Sequence, residues 1–210
     1  MKHPPSIFLI NNITDYCDKR LNCNGHNHTL CFLSHEVINN YTIYYEYQME
    51  GRIKDIILAH NGIRNRIAGK MNIPNMEHVI WDDELSHMAL SWIRYKHSPW
   101  ILDPCTTFFP KAYGIAPEFH YIVQNIFFFR YKFLPQNFIN SVLRTWYLEK
   151  NDMPKEALFR VFREKYVKRN LDFHNNFTVI AHPYISRVGC AMARLSGVHF
   201  ECYRWSFFFA

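Results

Sequence analysis

Apolar residues recur every three or four positions from residue 53 onward, and that period sets the first element. Ile53, Ile56, Ile57, His60, Ile63 and Ile67 fall on one face of a helix that begins near Arg52. Gly69 followed by Pro74 predicts its end. A second helix is expected to start at Asp82 or Asp83, where a carboxylate can cap free amides and the acidic trio 82–84 suits the positive helix end. Its inward stripe is Leu85, Met88, Ala89, Trp92 and Ile93, and Pro99 limits its far end. A third helix follows Pro135, with Phe138, Ile139, Val142, Leu143 and Trp146 inward. Residues 154–169 carry a basic amphipathic pattern, which reads as an ordinary helix with a solvated face in preference to an anionic-surface contact.

Strand signals are fewer. Residues 121–129 form an apolar, aromatic run that fits a strand, and a buried helix shares that pattern. Near the end, 189–195 and 198–205 read as a hairpin turned by Ser196-Gly197. That turn would let Cys190 and Cys202 face each other across paired strands. Residues 98–117 hold four prolines and read as a loop. Residues 1–50 show no long period and read as an irregular arm, leaving 51–210 as the main domain. No internal repeat is present.

Composition narrows the class. Hydrophobic residues make up 49% of the 210 and charged residues 20%, so the chain can bury a core and disorder is excluded. No apolar run is long enough to span a bilayer. The net charge of +6 favours anionic partners and says nothing of fold. Six cysteines, three of them at Cys17, Cys23 and Cys31, suit an oxidised framework; no CxxC pair exists to suggest zinc. Asn12, Asn27, Asn40 and Asn176 each open an Asn-X-Ser/Thr triplet. Cysteines and sequons together predict an extracellular protein. The apolar run at residues 7–10 is too short for a signal peptide, so a secretory route implies a leader removed or lying upstream.

Several ordered segments resemble the CAP superfamily, in particular insect venom and salivary antigen-5 proteins of the fly type. The arm Asp15-Tyr16-Cys17, Cys23, Gly25, His28 and Cys31 resembles its stapled amino-terminal arm. His60-Asn61 followed by Arg64 resembles its first-helix motif. Trp81-Asp82-Asp83-Glu84-Leu85, Gln124-Asn125, Trp146-Tyr147-Leu148-Glu149, Phe177-Thr178-Val179 and Val188-Gly189-Cys190-Ala191 resemble later signatures, with Val123 where Gly is usual. The resemblance implies an α+β fold, a three-layer α/β/α sandwich with a disulfide-stapled arm. It implies disulfides Cys17–Cys31, Cys23–Cys105 and Cys190–Cys202, with both partners of a fourth bond missing, one of them where Lys96 stands. It also makes Asn61 and Arg64 structural residues that hold the first helix.

The family's cleft usually holds two His and two Glu, and in some members the two His bind a divalent metal. By resemblance Glu149 keeps one carboxylate, Gln124 replaces the other, and Asn176 replaces the second His. For the first His, the local segment offers His97, whereas alignment on Cys105 offers Leu102; a bond fixes register, which favours Leu102. Asparagine has no basic nitrogen and glutamine carries no charge, so neither a metal site nor paired acid/base chemistry is expected. The implied function is a secreted, non-enzymatic, monomeric binder of a lipid, sterol, small ligand or protein, without cofactor and without affinity for nucleic acid. The rivals are a metal-dependent hydrolase using His97, His120 or His174 with Glu149, and a decayed copy. His60, Trp92 and Trp146 read as core.

Overall fold

The computed structural model describes residues 42–94, 123–129, 134–153, 175–196 and 201–209, with Cys17, Lys19, Gly25, Asn27, Cys31 and Asp103. In chain order these form β1 (Thr42–Tyr47), α1 (Ile53–Met71), β2 (Ile80–Trp81), α2 (Asp83–Arg94), β3 (Val123–Phe129), α3 (Phe138–Leu148), α4 (Asn176–Ile180), β4 (Arg187–Ser196) and β5 (Glu201–Phe209). Single 3-10 turns precede α1 and follow α3.

One sheet runs β1-β4-β5-β3, with β2 added parallel to the start of β4. The other pairings are antiparallel. Successive side chains of a strand point to opposite faces, and β4 uses both. Val188, Cys190 and Met192 join a core built from α1, α3 and α4. Gly189, Ala191 and Ala193 lie between them and face the other way, towards α2. Helices therefore cover both sides of the sheet, as the α/β/α sandwich requires. The small residues on the α2 side let that helix come close. A Cβ on Gly189 would fall on the backbone of Ser86, Leu85 and Asp82, 2.6 Å from the Asp82 carbonyl oxygen.

α2 is fastened to β4 by its first turn. Asp82 Oδ1 accepts the Leu85 amide at 3.0 Å, while Oδ2 meets Arg187 at 2.8 Å. The Asp82 amide donates to the Val188 carbonyl and Ser86 Oγ to that of Cys190. At the far end Arg94 grips Glu46 of β1 with two 2.7 Å bonds, a fork on a carboxylate.

α1 is held from its buried face. Arg64, 1% exposed, donates to the carbonyls of Glu77, Ile180, His182, Pro183 and Ile185 at 2.7–3.4 Å. Asn61 pairs with both the amide and the carbonyl of Val79, at 2.8 and 3.0 Å. These two residues bind α1 to the segments before β2 and before β4. His60 is fully buried with Nδ1 on the Ile56 carbonyl at 2.8 Å, and His182 is buried beside the same guanidinium.

Four expectations need correction or extension. α1 passes through Gly69 and stops at Asn72, whose left-handed conformation (φ 54°) returns its amide to Ala68; asparagine tolerates that region better than most residues. The arm is not irregular throughout, since 42–47 pair with β4; its Thr, Ile and Tyr content suits an edge strand. In the terminal hairpin Ser196 stands opposite Glu201, so Ser196 belongs to the strand and the register differs from the expected one. Cys190 now faces Phe207 and Cys202 faces Leu195, five residues from the expected partner, roughly 17 Å along a strand. A disulfide needs Cα atoms within about 7 Å. The expected Cys190–Cys202 bond is therefore absent, and Cys190 is a buried free thiol. Cys17–Cys31 is formed, with Cα atoms 4.8 Å apart, and closing that loop contributes about 3 kcal/mol in the chain-entropy model. Cys23 and Cys105 lie outside the described residues, as do the expected 98–117 loop (Asp103 apart) and the 154–169 helix.

Gly189→Ala should lower stability by about 1–3 kcal/mol, because backbone and not a flexible side chain blocks the methyl. A denaturant midpoint unchanged from the parent would refute that close approach.

Acid should unfold the domain for an identifiable reason. Burial first, and the charge of Arg64 as well, lower the pKa of both His60 and His182 to about 4. An unfolded histidine titrates near 6.5. Both rings are thus neutral when folded. Their contribution is complete above pH 6.5 and is lost as pH falls towards 4, by about 3 kcal/mol per ring. Thermal midpoints followed from pH 7 to pH 4 should drop steeply; a flat profile would contradict the neutral, buried state.

Candidate functional site

Glu149 leaves the last turn of α3, where the chain tightens into a 3-10 turn, and its carboxylate reaches α4. Oε1 accepts Asn176 Nδ2 at 2.8 Å and Oε2 accepts the Phe177 amide at 3.2 Å. The Glu149 carbonyl accepts Asn175 Nδ2 at 3.4 Å. Both carboxylate oxygens are thus engaged by the start of a short helix. Asn175 caps that helix itself: its Oδ1 accepts the Thr178 amide at 3.1 Å, and Thr178 Oγ1 accepts the Asn175 amide at 3.3 Å. This cap is what lets Asn-Asn-Phe-Thr turn from an extended segment into a helix pointing at Glu149.

Gln124 does not join this pair through its side chain. It is buried in β3, and its Oε1 accepts the amide of buried Asp103 at 2.7 Å. A neutral amide meets that buried donor without the desolvation cost of a carboxylate. The neighbouring Asn125 supplies the link instead, with Nδ2 on the Asn176 carbonyl at 3.1 Å. The structure therefore gathers Asn125, Glu149 and Asn176, while Gln124 holds Asp103. His97 and Leu102 lie outside the described residues, as do His120 and His174.

A divalent metal does not fit this donor set. Asn176 turns an amide N–H, not a lone pair, towards Glu149, and the carboxylate oxygens already accept two N–H groups. Among the described residues no three His, Cys, Asp or Glu side chains converge as ligands. The same bonds leave Glu149 poorly placed as a base, because both oxygens are committed to holding α4.

A separate groove of about 420 Å³ opens between the first turns of α1 and α3. These helices run side by side in the same direction: Arg52 lies 6.0 Å over Phe138 at one end, and Arg66 5.7 Å over Tyr147 at the other. Leu58, Ala59 and Ile139 give the groove an apolar lining, with Arg52, Asp55 and the amides of Gln136, Asn137 and Asn140 around it. Leu58 is 60% exposed, high for a leucine on a helix with a buried partner. Sequence reasoning placed Ile139 in the core and had no signal for the groove, which exists only once two helices are set side by side. Asn125 and Asn175 were likewise missed; the cap at Asn175, three residues before Thr178, was visible as a pattern.

Comparison with known proteins agrees with this architecture. Residues 57–209 match the family model described as CAP, cysteine-rich secretory protein family. No curated protein matches the sequence. Among solved structures the chain is similar to BmVAL-1, with 14% identity, a TM-score of 0.51, and coverage of 80% of this chain and 81% of that one; this likeness speaks to the fold alone. Proteins of this family are generally non-enzymatic and typically secreted, and no helix among the described residues is long and apolar enough to cross a membrane. With more than half its length matched by the family model, and with helices on both sides of one sheet, this chain belongs to the cysteine-rich secretory protein (CAP) family.

Proposed function

We propose that the protein is an extracellular, non-enzymatic binding protein of the antigen-5 kind found in insect venom and saliva, and that its ligand is a small amphipathic molecule held between α1 and α3. The observation that carries the non-enzymatic reading is the state of Glu149, whose two oxygens are taken by Asn176 and Phe177. The Cys17–Cys31 staple and Gln124 support the antigen-5 reading. A volume of about 420 Å³ lies in the range of small-molecule sites. Its lining joins apolar carbons to amides and a guanidinium, which suits a lipid-like molecule with a polar head.

Sugar fits the sequons unequally. Asn27 is exposed. Asn176 is half-buried with its amide nitrogen on Glu149, and it stays unmodified in this reading. Asn12 and Asn40 lie outside the described residues. The domain remains one unit from residue 51 onward, with β1 contributed by the arm.

Fluorescent fatty-acid and sterol probes should bind the chain expressed in an oxidising compartment. Ala59→Trp should weaken that binding by at least about tenfold by filling the groove. Uniformly absent binding, or binding indifferent to Ala59→Trp, would transfer the role to protein contacts or another site.

Glu149→Ala should release the start of α4 and lower stability by about 1–2 kcal/mol, as loss of a helix cap does. The parent should retain no stoichiometric zinc after dialysis. Zinc that stays bound, together with hydrolysis abolished by Glu149→Ala, would restore the hydrolase reading.

A further inference from the structure

We propose that Arg66 and Lys150, both held on the ring of Tyr147, form a docking point for the sulfate groups of a sulfated polysaccharide. The Arg66 guanidinium lies 5.7 Å and the Lys150 ammonium 4.9 Å from the ring centroid. Each contact is favourable on its own. With both cations so near one centroid, they lie at most about 11 Å apart, a spacing that successive sulfate groups of a polymer can meet. Among the described residues no carboxylate pairs with either one. Lys150 meets Asn151 Oδ1 at 3.3 Å. Glu149, the nearest carboxylate in sequence, is turned inward to α4. The ring is itself fixed: Tyr147 is 9% exposed and packs edge-on to Phe177 at 6.1 Å. Two cations are thus presented on a rigid support, with the Arg66 N–H fork open to an oxyanion.

Helix ends attract cations without any ligand, so the surplus decides the matter. Arg66 stands five residues before the end of α1 and Lys150 two residues beyond α3, so each meets at most about half a negative charge from a helix end. Exposed Lys70, one turn on from Arg66, and exposed Arg144, one turn before Tyr147, add two more cations, so four stand against the carboxylates of Glu149 and Asp152 on these stretches.

The surroundings favour a polysaccharide over other polyanions. Leu148, 47% exposed, is the one large exposed apolar side chain described at this end, too little for a membrane-seated face. The ring of Tyr147 is engaged by cations and cannot stack a base, which counts against nucleic acid.

The test compares the full-length chain on immobilised dextran sulfate and on neutral dextran at physiological salt. Binding should be confined to the sulfated polymer and fall with added salt. Arg66→Gln/Lys150→Gln should weaken it by at least about tenfold, and Lys19→Gln/Lys54→Gln, with equal charge loss on other exposed lysines, by less than about twofold. Each single variant is measured too, so that poor folding of one double variant leaves the result readable. Equal losses in the two double variants, no salt-sensitive binding, or capture by phosphatidylserine vesicles but not dextran sulfate would each overturn the proposal. The groove reading is separate, because its lining includes neither Arg66 nor Lys150.

Discussion

Arg64 is a guanidinium sealed inside the protein, and the arrangement of the sandwich follows from how it is satisfied. A buried charge is tolerated only when its donors are met. Here backbone carbonyls of Glu77, Ile180, His182, Pro183 and Ile185 surround it, contributed by two segments more than a hundred residues apart in sequence. A lysine in the same place would offer a point charge and three donors, too few for that ring of carbonyls. Because the segment at 180–185 leads directly into β4, the grip of one α1 side chain positions the central strand. Because the segment at Glu77 leads into β2 and α2, it also positions the helix on the opposite face of the sheet.

With the sandwich held at Arg64, the contact between Glu149 and Asn176 serves the structure. Glu149 accepts the Asn176 side-chain amide on one oxygen and the Phe177 backbone amide on the other. The pair is a fastening between α3 and α4. Gln124 likewise holds Asp103. In each case the side chain has a hydrogen-bonding role compatible with burial. The open chemistry of the described surface lies elsewhere, along the paired helices α1 and α3: an apolar groove with amides at one end and a cationic cluster at the other.

The terminal hairpin illustrates how a small local change alters covalent chemistry. A two-residue turn at Ser196-Gly197 would have set Cys190 near Cys202. The observed register, with Ser196 opposite Glu201, aligns Phe207 with Cys190 and leaves the thiol in the core, where burial pushes its pKa well up. Strand register is a property of the whole ladder, and the ladder here is also constrained by β3 on the other edge of β5.

Periodicity by itself determined the helices at α1, α2 and α3 and the inward stripes of Leu85, Met88, Trp92, Val142 and Trp146, because those features depend only on spacing along the chain; it left the run at β3 open between a strand and a buried helix. The ordered short motifs determined the family and the structural roles of Asn61 and Arg64, since each pairs a residue type with a fixed place in a helix. Tertiary structure alone decided the rest. The register that parts Cys190 from Cys202, the partner that Gln124 takes, the bridging by Asn125 and the groove beneath Leu58 all arise from pairs distant in sequence. A one-dimensional pattern states which residue types are present and at what interval. It does not state how far one strand has slid past another, or which of several buried donors a given amide will meet.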